Sequence, residues 1–434
     1  MRYNRGMPSF LYNQDQSGSS KKQLIWSLVF LLLSAIVIGI TIMLYLQDRT
    51  KKEEALKIEA VRIQEEQEIA LWVEEQKENN ITQETMPPSD LGNEKEETIL
   101  PLLPPPAPPS MDRMKKKGCV ADGFLSGYGG DINSSIALVN RSQCYYMHRA
   151  LETWLKPPDF KLARKIQEKV TKPNTVYGMF IAEAIKTNAD YRFPAEDRDF
   201  DFREMCRKGS KNYWGEHSCK PSLEREEYRK YIRYITEEAM NMGIQSFLFG
   251  QVFYQDSADL EKSFMPEVIQ EMREYAEFRG MEIVIGAQTN DITDEKYLRL
   301  FDYIEGGVGL LDDGRVEEGP CFSRWWKKPG DWCWALLWHH EFSDKANNVF
   351  LHFDWSGKLG DDMSVFTKMD EQERAETLRQ LHRKFTSSGK GFLLPLLATL
   401  HKDNNGCHGP KERFYSASRK YSCQDEEVIN DILR

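Results

Sequence analysis

No cysteine occurs before residue 119, although eight lie from there on. An even number confined to one region predicts disulfides there and an oxidising compartment around it. A basic excess is also missing. With 68 acids against 58 bases and a formal charge of −10, duplex nucleic acid is not an expected partner. Cys-x-x-Cys, His-Glu-x-x-His and EF-hand spacings are absent, and the adjacent His339 and His340 would point different ways on a helix or strand, so no metal site is expected. The Gly-x-Ser-x-Gly elbow of serine hydrolases is missing too. Gly306–Gly307–Val308–Gly309 lacks the third glycine of a dinucleotide fingerprint. No cofactor is expected. The lack of a 20–50-residue repeat excludes solenoids and propellers.

Charge is absent from Leu24–Leu46, and those 23 residues match one bilayer crossing. The run is too long for a signal-peptide core, and no small-x-small cleavage site follows closely, so an uncleaved anchor is expected. Basic residues on the two flanks balance, leaving the cysteines to set orientation: residues 1–23 form a cytoplasmic tail and the C-terminal part lies outside. Gln47–Asn80 has the Glu/Lys/Ala composition of a helical stalk, with a short stalk-mediated dimer as the sharper alternative. Residues 81–117 hold eight of the 19 prolines and read as a stiff, extended linker.

The remaining 317 residues, 118–434, suffice for one large α/β domain. Helices are expected over Ser142–Lys156, Phe160–Val170, Glu224–Met242, Phe264–Gly280, Asp291–Leu300, Trp334–Lys345, Asp370–Phe385 and Asp425–Leu433. Six apolar runs read as strands: Thr175–Ala184, Gln245–Tyr254, Met281–Gln288, Asp302–Leu310, Asn348–Gly357 and Phe392–Thr399. Strands alternating with helices mean parallel pairing, and a (β/α)8-like, TIM-type barrel, regular or not, suits the size better than an open sheet.

Side chains at the C-terminal ends of barrel strands converge on one mouth, where the chemistry of such barrels is found. Those ends carry Glu183, Gln251, Gln255, Gln288, Glu305, Asp354 and His401. Glu305 precedes two glycines in an apolar setting, and burial there would raise its pKa and suit a general acid. Asp354 shares a strand face with His352, which could orient it or exchange a proton with it. Two carboxyls across a mouth are what glycoside hydrolysis needs. Glu305 and Asp354 are the candidate catalytic pair, with Glu183 in reserve. Gln251, Gln288, His352 and His401 are candidate substrate contacts. Five tryptophans lie within residues 325–338, and of these Trp325 and Trp326 are the candidate sugar-stacking wall, as against a core-packing hairpin bridged by Cys321–Cys333.

The segments YGMFIAEA, FLFGQVFYQ, IVIGAQTN, DYIEGGVG, FLHFDWSG and FLLPLLATLH resemble the strands of glycoside-hydrolase-like (β/α)8 barrels over residues 175–434. The largest retaining clan of that fold carries glutamates after its fourth and seventh strands. The resemblance places Glu305 in the first position, while Phe392–Leu400 ends in His401 where the second glutamate would be.

Pairing of sequential cysteines is the economical expectation: Cys119–Cys144, Cys206–Cys219, Cys321–Cys333 and Cys407–Cys423, each stapling a loop. Asn80, Asn133 and Asn140 begin glycosylation sequons, which keep a eukaryotic secretory setting open beside a bacterial cell surface. The functional expectation is a membrane-anchored, extracytoplasmic enzyme that hydrolyses or remodels a surface or envelope glycan. A non-catalytic domain that binds carbohydrate or protein is the alternative.

Overall fold

Short apolar runs whose residues are buried on both faces need helices on the outside and side chains within, and the chain supplies both. The computed structural model describes residues 102–319, 336–355, 361–401 and 404–434. The anchor, the stalk, Trp325, Trp326, Cys321 and Cys333 lie outside those residues. Among the described residues, no helix is long and apolar enough to cross a membrane.

Seven strands follow one another in parallel: β1 (Gly118–Ala121), β2 (Tyr146–Glu152), β3 (Val176–Ile181), β4 (Ser246–Phe249), β5 (Val284–Ala287), β6 (Tyr303–Gly307) and β7 (Val349–His352). β8 (Gly391–Phe392) pairs with β7, and β9 (Leu394–Thr399) pairs with β1, both parallel. Only Leu393 separates β8 from β9, so this one run meets both edges and curls the sheet into an eight-position barrel. β10 (Phe414–Ser416) adds an antiparallel edge to β9. The main helices include α1 (Ile132–Arg141), α2 (Phe160–Gln167), α3 (Glu226–Asn241), α4 (Met265–Phe278), α5 (Glu295–Leu298), α6 (His340–Ser343), α7 (Glu371–Ser387) and α8 (Glu426–Leu433). Asp131, Asp159 and Asp294 cap α1, α2 and α5, and Asp370 with Glu373 forms a capping box on α7.

Inside the barrel, Tyr146, Ser246 and Tyr303 join their hydroxyls at 2.9–3.3 Å, with Phe350 edge-on to Tyr303 at 4.7 Å. Room for these rings comes from glycine. A Cβ at Gly286 would stand 2.1 Å from the Tyr303 ring.

Several expectations change. Ser142–Lys156 is not a helix: Tyr146–Glu152 is β2, all seven residues buried, because an interior slot outweighs the helix preference of Arg, Ala, Leu and Glu. The helix lies one segment earlier, at α1. β1 escapes notice because it is only four residues long. The run Gln245–Tyr254 stops as a strand at Phe249, and Val252–Gln255 turns helical. Of Trp334–Lys345, only His340–Ser343 is helical among the described residues.

The last part of the proline-rich stretch is docked rather than free. Leu103 and Ala107 exchange backbone hydrogen bonds with Asn241 and the Gln245 side chain, and Met111–Lys116 forms a helix whose Met114 is fully buried. Cys119–Cys144, Cys206–Cys219 and Cys407–Cys423 are bridged as sequential pairs. Three disulfides fit an extracytoplasmic domain.

Candidate active site

Just above the tyrosine layer, β2, β6 and β7 each send one inward side chain to a common point. Glu305 Oε1 receives His148 Nε2 at 3.3 Å and, closer still, His352 Nε2. All three residues are buried. His148 Nδ1 meets the Tyr146 hydroxyl at 2.9 Å, and His352 Nδ1 donates to the Phe353 carbonyl at 2.7 Å. Burial opposes charge on Glu305, but His352 and His148 overcome it and hold the carboxyl well below its usual range. Burial also opposes charge on His352, yet Glu305 raises it from 6.5 to about 9. His148 goes the other way, lowered chiefly by burial, and stays neutral. The set is an ion pair plus one neutral imidazole.

That arrangement corrects two expectations. Glu305 is held ionised, so it cannot be the raised-pKa acid; the sequence does not reveal that two histidines from distant strands flank it. His352 turns both ring nitrogens to Glu305 and Phe353, so it does not hydrogen-bond Asp354. Strand counting alters a third. Glu305 lies within the sixth strand; Gln251 follows the fourth, and Asp354 follows the seventh.

Asp354 is half-buried, two residues beyond β7. Desolvation, with Asp362, Asp361 and Glu305 adding repulsion against the attraction of His352, pushes its carboxyl well above the usual range. Its backbone is fixed by Asp362, which accepts from the amides of Asp354, Val308, Gly309 and Leu310 at 2.6–3.2 Å. One buried carboxylate thereby ties the ends of β6 and β7 together. Gly307 permits the approach: a Cβ there would meet Asp354 Cβ at 2.8 Å.

Across the mouth, Glu183 Oε1 accepts from Gln251 Nε2 at 2.6 Å, while its buried Oε2 has no hydrogen-bond partner among the described residues. Burial raises the Glu183 pKa. Gln288 Oε1 faces the Gln251 amide at 3.3 Å, and Asn290 donates to Gln251 Oε1 at the same distance. Gln255 is fully buried and ties Tyr228 to the Ile181 carbonyl, a structural role. His401 is buried two residues beyond β9.

Sequence reasoning overlooked the middle of the mouth. Arg149, at φ +54°, contacts Asp122 at 3.1 Å and Glu152 at 2.8 Å, and its guanidinium covers Phe180 at 3.8 Å and Trp355 at 4.7 Å. Burial, opposed by Arg149, raises Glu152 to about 8. Reading β2 as a helix hid these residues. An aromatic wall was missed as well: Trp154, Tyr213, Trp214, Phe253 and Tyr254 pack ring to ring at 4.9–6.4 Å. Tyr213–Trp214 inside the Cys206–Cys219 loop was the available signal. Of the five tryptophans at 325–338, Trp338 is described, half-buried, and donates to the Val308 carbonyl at 3.2 Å.

The fold is a curled, largely parallel α/β domain resembling a (β/α)8 barrel. No protein-family model and no curated protein matches the sequence. Similar solved structures include a cyclic α-maltosyl-(1→6)-maltose hydrolase from Arthrobacter globiformis, at 8% identity over 73% of this chain and 76% of that one, TM-score 0.41. A putative α-N-acetylgalactosaminidase from Bacillus halodurans has 11% identity over 76% and 75%, TM-score 0.36. A β-L-arabinopyranosidase from Geobacillus stearothermophilus has 12% identity over 46% of this chain, which spans about half of it (53%), TM-score 0.26. The likeness is one of fold.

Proposed function

We propose that the chain is a membrane-anchored, extracytoplasmic barrel enzyme that hydrolyses or remodels a surface or envelope glycan. The supporting observation is the separation of carboxyl states at one mouth: Asp354 is pushed toward its protonated form while Glu305 is held ionised beneath it. A carboxyl kept protonated near neutral pH can serve as a general acid, and the ionised Glu305 beneath it helps to keep it so. Asp354, still half-open to the mouth, is the general acid toward the glycosidic oxygen. Glu183, buried, with Oε1 held by Gln251 and Oε2 without a hydrogen-bond partner among the described residues, is the second carboxyl of the mouth. Glu305 is committed to its two histidines rather than to substrate. With His352 and His148 it positions the end of β7, and its negative charge helps keep the Asp354 proton on. Gln251 and Gln288 line the same side, and the aromatic wall offers ring faces for sugars.

A second reading has its own observation. Arg149 locks Asp122 and Glu152, and two histidines lock Glu305, which suits a domain that binds glycan or protein without cleaving it. A polysaccharide-digestion screen with a parallel glycan array separates the two. Asp354→Asn is expected to reduce hydrolysis by about 100-fold or more, the usual contribution of general acid catalysis. Binding without digestion establishes the second reading, and digestion that survives both Asp354→Asn and Glu183→Gln refutes the first.

A further inference from the structure

Lys220 is a buried cation of the mouth region that the acid–base scheme leaves unused. It follows Cys219, within the loop clamped by the Cys206–Cys219 bridge, and is 8% exposed. Its ammonium lies 3.2 Å from the centre of the Tyr213 ring and 3.4 Å from that of Tyr254, with Trp214 at 6.0 Å. Among the described residues, no carboxylate, carbonyl or hydroxyl accepts a hydrogen bond from it. Other buried cations of the barrel are matched: Arg149 by Asp122 and Glu152, Arg374 by Asp425. Lys220 has ring faces instead. Burial and the nearby Arg207 charge lower its pKa to about 8, and Glu183 opposes this without bonding it.

An ammonium needs three acceptors to be fully satisfied, and π-faces supply attraction without accepting hydrogen bonds in the plane of a ligand's oxygens. The cage also opens outward. Tyr213 is 36% exposed and Phe253, tilted against Tyr254, is 53% exposed, so ring surface leads from solvent to the cation. A ligand that slides its apolar face along these rings brings its substituents to Lys220.

We propose that Lys220 is a specificity-determining residue that selects glycans carrying an acidic group, a carboxylate or sulfate, at the sugar stacked on Tyr213 and Tyr254. This rests on the carbohydrate reading above. The incoming anion replaces one ring face at the ammonium and forms the charge-assisted hydrogen bonds that the folded chain does not provide. A neutral sugar gains the stacking and not the ion pair; a cationic sugar is repelled.

The test uses the full-length protein in mild detergent and six tetrasaccharide probes, with affinities read from tryptophan fluorescence. Tetragalacturonate is compared with its methyl ester, a κ-carrageenan tetrasaccharide with its desulfated form, and cellotetraose and chitosan tetramer serve as neutral and basic references. The wild type is expected to favour at least one anionic probe over its uncharged form by about tenfold or more. Lys220→Met keeps an apolar stem that packs between rings, and it should erase that preference while leaving cellotetraose affinity within about twofold. Lys220→Arg should restore part of it. Equal binding of charged and uncharged forms, a preference that survives Lys220→Met, or a preference for the chitosan tetramer overturns the inference and leaves the carbohydrate reading standing. Failure of all the probes to bind overturns both.

Discussion

The buried Glu305–His352 pair makes a quantitative claim about pH. His352 has an ordinary value of 6.5 and is held at about 9 in the fold. Between those values the folded state keeps a proton that the unfolded chain has released, so stability falls as pH rises. The contribution is complete below about pH 6.5 and lost by about pH 9, and the interval corresponds to about 3 kcal/mol. Glu305 is depressed by the same contact, so the pair is counted once. Other groups titrate nearby. Glu152, raised to about 8, adds to the fall below that pH, whereas Lys220, lowered to about 8, makes stability rise above it. A difference measurement removes both: urea unfolding of the disulfide-intact protein at pH 6.5 and 9, for wild type and for Glu305→Gln. In the variant the imidazole has lost its counter-ion and burial drives it neutral, so the fall between the two pH values should shrink by about 3 kcal/mol. His352→Gln should behave likewise. Identical pH dependence in the wild type and both variants would refute the ion-pair assignment.

Two glycines test the fit of the barrel in different ways. Gly286→Ala drives a methyl to 2.1 Å from the Tyr303 ring and should cost about 1–3 kcal/mol in urea unfolding, since the ring has the Tyr146–Ser246 hydroxyls behind it. Gly250→Ala places its methyl 2.2 Å from Glu183 Oε2 and 2.6 Å from Phe180, so activity or glycan affinity should drop by more than the loss of stability explains. Removing the Cys206–Cys219 bridge by paired serine substitutions releases a short loop, lowers stability by about 3 kcal/mol, and should weaken sugar binding through Tyr213 and Trp214, as read by calorimetric unfolding and the array.

Parallel architecture was readable from residues 175–434 because each strand there is an apolar run bounded by turn residues, and burial on both faces leaves no polar alternation to confuse it. The three bridges among described cysteines were readable as neighbours. The N-terminal third of the barrel was not. β1 is too short to carry a period, and β2 holds His148, Arg149 and Glu152 among helix-favouring residues, a composition that signals a strand only once the partners on β6, β7 and at Asp122 are known. The site suffered accordingly. Asp354, Glu183 and Gln251 do reach one mouth, while the partners that set their charge states come from elements read otherwise.

The mouth contains more carboxyl groups than a structural barrel needs, and the fold disposes of most of them by distinct means. Asp122 and Glu152 share one guanidinium, Glu305 has two imidazoles, and Asp362 has four backbone amides. Each is thereby stabilised as an anion or fixed in place. Among the described residues, Asp354 receives none of these: its own amide is used to hold the chain, its carboxyl is near three other acids, and it retains access to solvent. A desolvated carboxyl beside other acids is the one that still carries a proton at neutral pH, which is what a general acid must bring to an incoming acceptor. If the chain is an enzyme, Asp354 is where the reaction begins; if it binds only, Asp354→Asn should leave affinity unchanged while Glu183→Gln, next to the wall, lowers it.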